Sequence, residues 1–175
     1  LNRSPMGPSY VLIDRLSGDL IEKHELPPEL HKLSIRHMDV DRAGAVWFSC
    51  QYEGATTDRP PLVGRAARGS ELELLDMPEK VLNRLRNYIG AMAANREAGT
   101  MAVSSPAGNS YVVFDTASGG VVSATNLTEV CGIAPDRAGF MATSGAGAIT
   151  RPGAASVSAP GYVWDNHLLR IGGPA

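Results

Sequence analysis

The chain has few charges, few aromatic residues, only two cysteines and no long apolar run. Three of these shortages each remove a class of protein. Charged residues are 19% of 175, and 16 Lys and Arg against 18 Asp and Glu leave a formal net charge of −2. That balance offers no basic excess to neutralise phosphates, so we expect no nucleic-acid partner. Cys50 and Cys131 form no Cys-x-x-Cys pair and no metal-finger spacing, although a single disulfide between them stays open. No apolar run approaches the roughly 18 residues that a membrane-spanning helix needs, so we expect no membrane span. The opening "LNRSPMGPSY" has no initiator Met and no signal-peptide apolar core. We expect it to be the interior of a longer gene product.

Turn formers are plentiful instead. There are 19 Gly and 12 Pro, and helical patterns are few and short, which points to strands and turns. The length suits one domain, able to bury about 70% of its unfolded surface.

The turns repeat. "DRAG" is written at Asp41–Gly44 and again at Asp136–Gly139, each time between two short apolar runs, and the two copies are 95 positions apart (136 − 41). A second repeat pairs "SYVLIDRLSGDLIEKHEL" (Ser9 to Leu26) with "SYVVFDTASGGVVSATNL" (Ser110 to Leu127). Each reads as a hairpin in which Asp14 or Asp115 bonds the backbone ahead and Gly18 or Gly119 supplies a positive φ. A looser copy lies between, in "PPLVGRAARGSELELLDM" and "YIGAMAANREAGTMAVSS", with Asn95 to Gly99 as its turn. The 95 positions are then two periods of about 47, the size of a four-stranded propeller blade.

The reading is therefore all-β, a partial β-propeller of WD40 or YVTN-like type. It has about three four-stranded blades plus flanking strands. Ser9–Leu26 is the outer hairpin of a blade whose inner strands are missing. Ile35–Leu75, Tyr88–Asn126 and Val130–Val163 are the blades, the last degraded. "WDNHLLRI" is either an outermost strand or the innermost strand of a further blade. We favour the second, because Asn166-His167-Leu168 matches Arg36-His37-Met38. "PPELHKL" and "PEKVLNRLR" put Pro ahead of apolar residues at helical spacing, giving two short helices in loops. Blades that expose apolar faces need neighbours, so the chain needs the rest of a ring or a second copy.

The segments "ELHKLSIRHMDVD", "CQYEG", "DRPPLVGR", "LRNYIG", "SSPAGN", "CGIAPD", "ATSG" and "WDNHL" occur in this order. On them the chain resembles the C-terminal half of a bacterial family of exported seven-bladed propellers, the domain of unknown function fifteen-thirteen. The resemblance covers essentially all of residues 1–175 and implies half of a single propeller domain. It also implies a periplasmic protein exported by the twin-arginine route. It implies an association with iron-uptake loci, and so a periplasmic iron-uptake protein as partner. It carries over no activity and no catalytic residue.

Innermost strands line a propeller's channel, and their starts open on one face. Aligning the turns at Asp41, Asn95 and Asp136 puts Arg36, Gly90 and Cys131 on one level, with His37, Ala91 and Gly132 next. The favoured register adds Asp165, Asn166 and His167, with Asn87 and Tyr88 just above. Two readings of this channel mouth stay open. His37, Cys131 and His167 are the candidate ligands for a transition metal such as iron, since imidazole and sulfur suit such ions, and Arg36 can hold an anion. Alternatively these side chains bond carbonyls at strand ends. No two of the metal candidates are close in sequence, which weakens the metal reading.

"CQYEGATTDRPPLVGR" is a loop on the same face, where Tyr52, Glu53, Asp58 and Arg59 would meet a partner or simply face solvent. His24 and His31 read as plain surface residues, and Trp47 and Phe48 as blade packing. Trp164 is ambiguous between packing and the mouth. No nucleophile elbow and no phosphate loop occurs. The function expected is a binding module for a partner protein or a metal-associated ligand in iron acquisition. The alternative is a metal-dependent or redox enzyme centred on the mouth.

Overall fold

Asp41 starts the repeated turn, and its contacts explain why an acid is written there. Its carboxylate accepts from the amides of Ala43 (2.8 Å) and Ala45 (3.0 Å) and from the indole Nε1 of Trp47 (2.9 Å). A short acceptor at this position closes the turn and docks a core side chain at once. A computed structural model describes residues 7–137 and 139–171. Ala138 of the second "DRAG" lies outside the described residues.

Among the described residues, four small antiparallel sheets follow one another along the chain. The first is a two-stranded hairpin, β1 (Ser9–Ile13) with β2 (Leu20–Glu25). The first blade holds β3 (Leu33–Val40), β4 (Val46–Tyr52), β5 (Val63–Ala66) and β6 (Glu73–Leu74) in that order. The second holds β7 (Ala91–Asn95), β8 (Thr100–Ser105), β9 (Ser110–Asp115) and β10 (Val121–Asn126). The third holds β11 (Val130–Asp136), β12 (Gly139–Ser144), β13 (Ala148–Thr150) and β14 (Val157–Ser158). The three expected blades are therefore present, and the last thins to outer strands of three and two residues. The sheets do not close into a barrel; the chain is a partial propeller.

The two short helices also stand where Pro and the helical spacing place them. One is a 3-10 turn at Pro28–Leu30; the other is α1, Glu79–Leu85, which buries Leu85. Both hairpin turns use the expected device. Asp14 accepts from the amides of Leu16 and Ser17, both at 2.9 Å, and Asp115 from the amide of Ser118 at 2.8 Å. Gly18 and Gly119 then take φ of 79° and 76°.

Packing runs through the blade faces. Trp47, Phe48, Leu62, Leu85, Ile89, Met101 and Phe114 are fully buried in one cluster, and the Trp47 and Phe114 rings meet across two blades at 6.0 Å. Each such side chain contributes about 1.5–3 kcal/mol on burial. A smaller cluster of Ala93, Ala102, Ile133 and Phe140 joins the second and third blades. Polar stitches add direction. Asp39 accepts from the Ala94 amide (2.8 Å), and Asn95 donates to the carbonyls of Arg137 (2.8 Å) and Gly139 (2.9 Å). Arg65 lies over Trp47 and donates to the Thr116 carbonyl of the next blade.

Two expectations fail. Trp164–Ile171 is a strand in neither register; the segment is irregular. A strand needs a neighbour that takes up its N–H and C=O groups, and this segment joins none of the described sheets. His24 is not a plain surface residue. Its ring stacks on Tyr10 at 4.8 Å and bonds Glu22 at 3.0 Å, leaving the side chain 11% exposed. Strand alternation turns it with Tyr10 toward the first blade. His31 is exposed, and Trp47 and Phe48 pack as expected. Among the described residues no helix is long and apolar enough to cross a membrane.

Candidate functional site at the channel mouth

Two of the three innermost strands, β3 and β11, share an irregularity at their starts. In β3, Ile35 pairs with Cys50 and His37 with Ser49, so Arg36 is an extra residue. In β11, Val130 pairs with Ser144 and Ile133 with Ala142, which leaves one extra residue at Cys131-Gly132. Such a bulge breaks the alternation of side chains and re-aims them. Arg36 and Cys131, the residues expected on one level, thus sit on equivalent distortions.

The C-terminal segment crosses this level. A Cβ added to Gly132 would fall 2.9 Å from Leu168 Cβ, and one added to Gly90 would fall 3.2 Å from Asn166 Oδ1. The two glycines form a notch that seats residues 166–168 without any strand pairing. The segment also carries His167 to His37, where the ring centroids are 5.9 Å apart and inclined at 55°. Nearby, Tyr162 and Trp164 stack at 5.5 Å, with Trp164 half-buried.

The electrostatics follow from this arrangement. Burial pushes the His37 imidazole below its ordinary value, and the charges of His167 and Arg36 push it the same way. Arg36 is loosely held, 3.9 Å from Glu53. The Cys131 thiol donates to the Glu129 carbonyl at 3.0 Å. Burial raises its pKa; the Gly145 amide opposes that, and the charges of Asp165 and Glu129 add to it. Cys50, fully buried, is pushed up to about 12 by burial. Both cysteines are free thiols.

Arg36, His37, Cys131, Asn166 and His167 all stand at this end of the innermost strands, and Asp165 is near enough to act on Cys131. Asn87 and Tyr88 serve the neighbouring loop. The Asn87 amide donates to the Asp58 carbonyl at 3.0 Å, its backbone carbonyl accepts from Tyr52, and Tyr88 bridges to Gln51. In the loop, the Tyr52 hydroxyl donates to Asp58 at 2.7 Å. Arg59 donates to Asn83 of α1 and to the Asp58 carbonyl. Tyr52, Asp58 and Arg59 therefore spend their polar groups within the loop and on α1, whereas Glu53 faces Arg36. Among the described residues no three His, Cys, Asp or Glu side chains stand close enough to hold a metal ion. Ser49 and Glu129 escaped the sequence reading. Aligning "FSC", "VSS" and "ATS" across the blades would have picked out Ser49.

Solved structures sharing this architecture include U3-55K, with 14% identity and a TM-score of 0.63, covering 87% of this chain and 45% of the other. The RRP9 WD40 repeats give 15% identity and a TM-score of 0.63, with coverage of 87% and 45%. A streptogramin B lyase gives 15% and 0.56, with coverage of 89% and 47%. At these identities the likeness is one of fold, and the chain spans about half the length of each. No curated protein matches it. A profile of the family described as "Protein of unknown function (DUF1513)" matches residues 1–171.

Proposed function

Because the chain belongs to the family described as Protein of unknown function (DUF1513), we propose its role from its own mouth face. It is a propeller-like binding module that takes a partner protein or a metal-associated ligand on the face where the innermost strands begin. The observation that carries this is the meeting of His37 and His167 beside Arg36. Charged and imidazole groups from distant parts of the chain are gathered at one opening, while the blade faces hold packing residues. We place this activity in the periplasm, in iron acquisition. We read residues 1–175 as the C-terminal half of one propeller, whose other half or a second copy completes the ring; spans of about half of the solved propellers support that reading.

An enzyme at the same place finds less support. The Cys131 thiol is pushed away from the thiolate that a nucleophile needs.

A photo-crosslinking residue at Glu53 on the mouth face, compared with one at the exposed Val122 on the outer strand β10, tests the reading in iron-starved cells. A discrete adduct from position 53 alone is expected. Adducts from both positions, or from neither, contradict it. For the metal version, protein purified without a chelating tag should hold metal that His37→Ala and Cys131→Ala lose; metal-free wild type removes that version.

A further inference from the structure

The three blades carry a hydroxyl at the same place on their second strands, at Ser49, Ser104 and Thr143. Two of the three are satisfied. Ser104 donates to the Cys131 carbonyl of the next blade at 2.6 Å, and Thr143 bonds the backbone of Gly132 at 3.2 Å. Ser49 is fully buried, and its hydroxyl has no partner among the described residues. An unpaired buried hydroxyl destabilises the fold, so a repeat that satisfies two copies and orphans the third marks the third.

Ser49 is the register partner of His37. Paired residues in an antiparallel sheet point to the same side, so the orphan hydroxyl and the imidazole share a face. The bulge at Arg36 breaks the alternation that would otherwise send Arg36 and His37 to opposite faces. His167 completes the group from the C-terminal segment. All four side chains can donate hydrogen bonds. Glu53 stands 3.9 Å from Arg36, beyond hydrogen-bond distance, and the Asp165 carboxylate accepts from the Asn166 amide at 2.6 Å.

We propose that the mouth of the first blade binds a small oxyanion, a carboxylate or phosphate group, between Arg36, His37 and His167, with Ser49 beside them. The guanidinium supplies a planar pair of donors, and each imidazole adds a ring N–H. Glu53 is the group the anion displaces from Arg36. The inference rests on the mouth being the ligand-facing side, and it adds the chemistry of what is held there. The oxyanion is carried either by a small molecule or by an acidic side chain or chain terminus of a protein.

Proton NMR of the four histidines in the full chain, assigned with His37→Gln and His167→Gln, tests it. Inorganic phosphate and acetate are titrated in separate arms against chloride at equal ionic strength. Saturable shifts of His37 and His167 in either oxyanion arm, with His24 and His31 unmoved, are expected. Arg36→Gln should weaken that binding about tenfold or more, the worth of a charge-assisted hydrogen bond, without altering the His24 resonance that reports folding. Shifts that chloride reproduces, or an unchanged affinity in Arg36→Gln, overturn the proposal. Phosphate alone saturating points to a phosphorylated small molecule; acetate saturating as well points to a carboxylate, including a protein's. If crosslinking from position 53 persists while neither oxyanion binds, the anion inference falls and the mouth-face reading stands.

Discussion

The imidazoles of His37 and His167 meet with their centroids 5.9 Å apart, although 130 positions separate them in the chain (167 − 37). One ring stands on the bulged start of β3, and the other arrives on a segment that forms no strand. His167 makes His37 costlier to charge, and from this relationship the behaviour of the mouth follows.

Stability should depend on pH through His37. Its native pKa is lowered from 6.5, first by burial and then by His167 and Arg36. Below 6.5 the unfolded chain takes up a proton that the folded chain refuses, so this part of stability is present above 6.5 and is lost as pH falls. The loss levels off once pH drops below the lowered native value. Urea melts of wild type and His37→Gln across that window should diverge in wild type's disfavour as pH falls; parallel curves would contradict the assignment.

Asp41→Ala removes one carboxylate that serves two turn amides and an indole, all at 2.8–3.0 Å. The residue is buried, so water cannot replace the lost acceptor. A destabilisation of about 3 kcal/mol is expected in denaturant titrations. A cost under about 1 kcal/mol would mean that the turn closes without it.

How much of this was legible in the sequence divides along one line. The turn acids Asp41, Asp14 and Asp115 act through amides a few residues ahead, so their role could be read locally, and the blade count followed from their spacing. The C-terminal segment could not be read in this way. Asn166-His167-Leu168 resembles Arg36-His37-Met38, yet it is seated by the absence of side chains at Gly90 and Gly132 rather than by strand pairing. His24 escaped because its partner, Tyr10, is a cross-strand neighbour. The orphan hydroxyl of Ser49 is visible only against its satisfied equivalents.

Gly132→Val should unseat that segment. An added Cβ meets Leu168 Cβ at 2.9 Å and Thr143 Oγ1 at 2.8 Å, and overpacking of this kind costs about 1–3 kcal/mol. Trypsin cleavage at Arg170 should accelerate and Trp164 emission should shift to the red, while the blades' β signature in circular dichroism is kept. Unchanged cleavage would show that the notch holds nothing.

Thiol labelling should separate the two cysteines. Cys50 is fully buried and pushed up to about 12, whereas Cys131 is 9% exposed and raised less. At pH 8 in native buffer, labelling of Cys131 should be slow and that of Cys50 slower, and both should react at once in denaturant. Rapid native labelling of Cys50 would contradict its packing.

The central claim is that the C-terminal segment brings His167 to the start of β3. The direct measurement is the His37 pKa by NMR in wild type and in His167→Ala. The account predicts that the pKa rises toward 6.5 in the variant, because one of the charges that depress it is gone. An identical His37 titration in the two proteins would place His167 elsewhere and contradict the site.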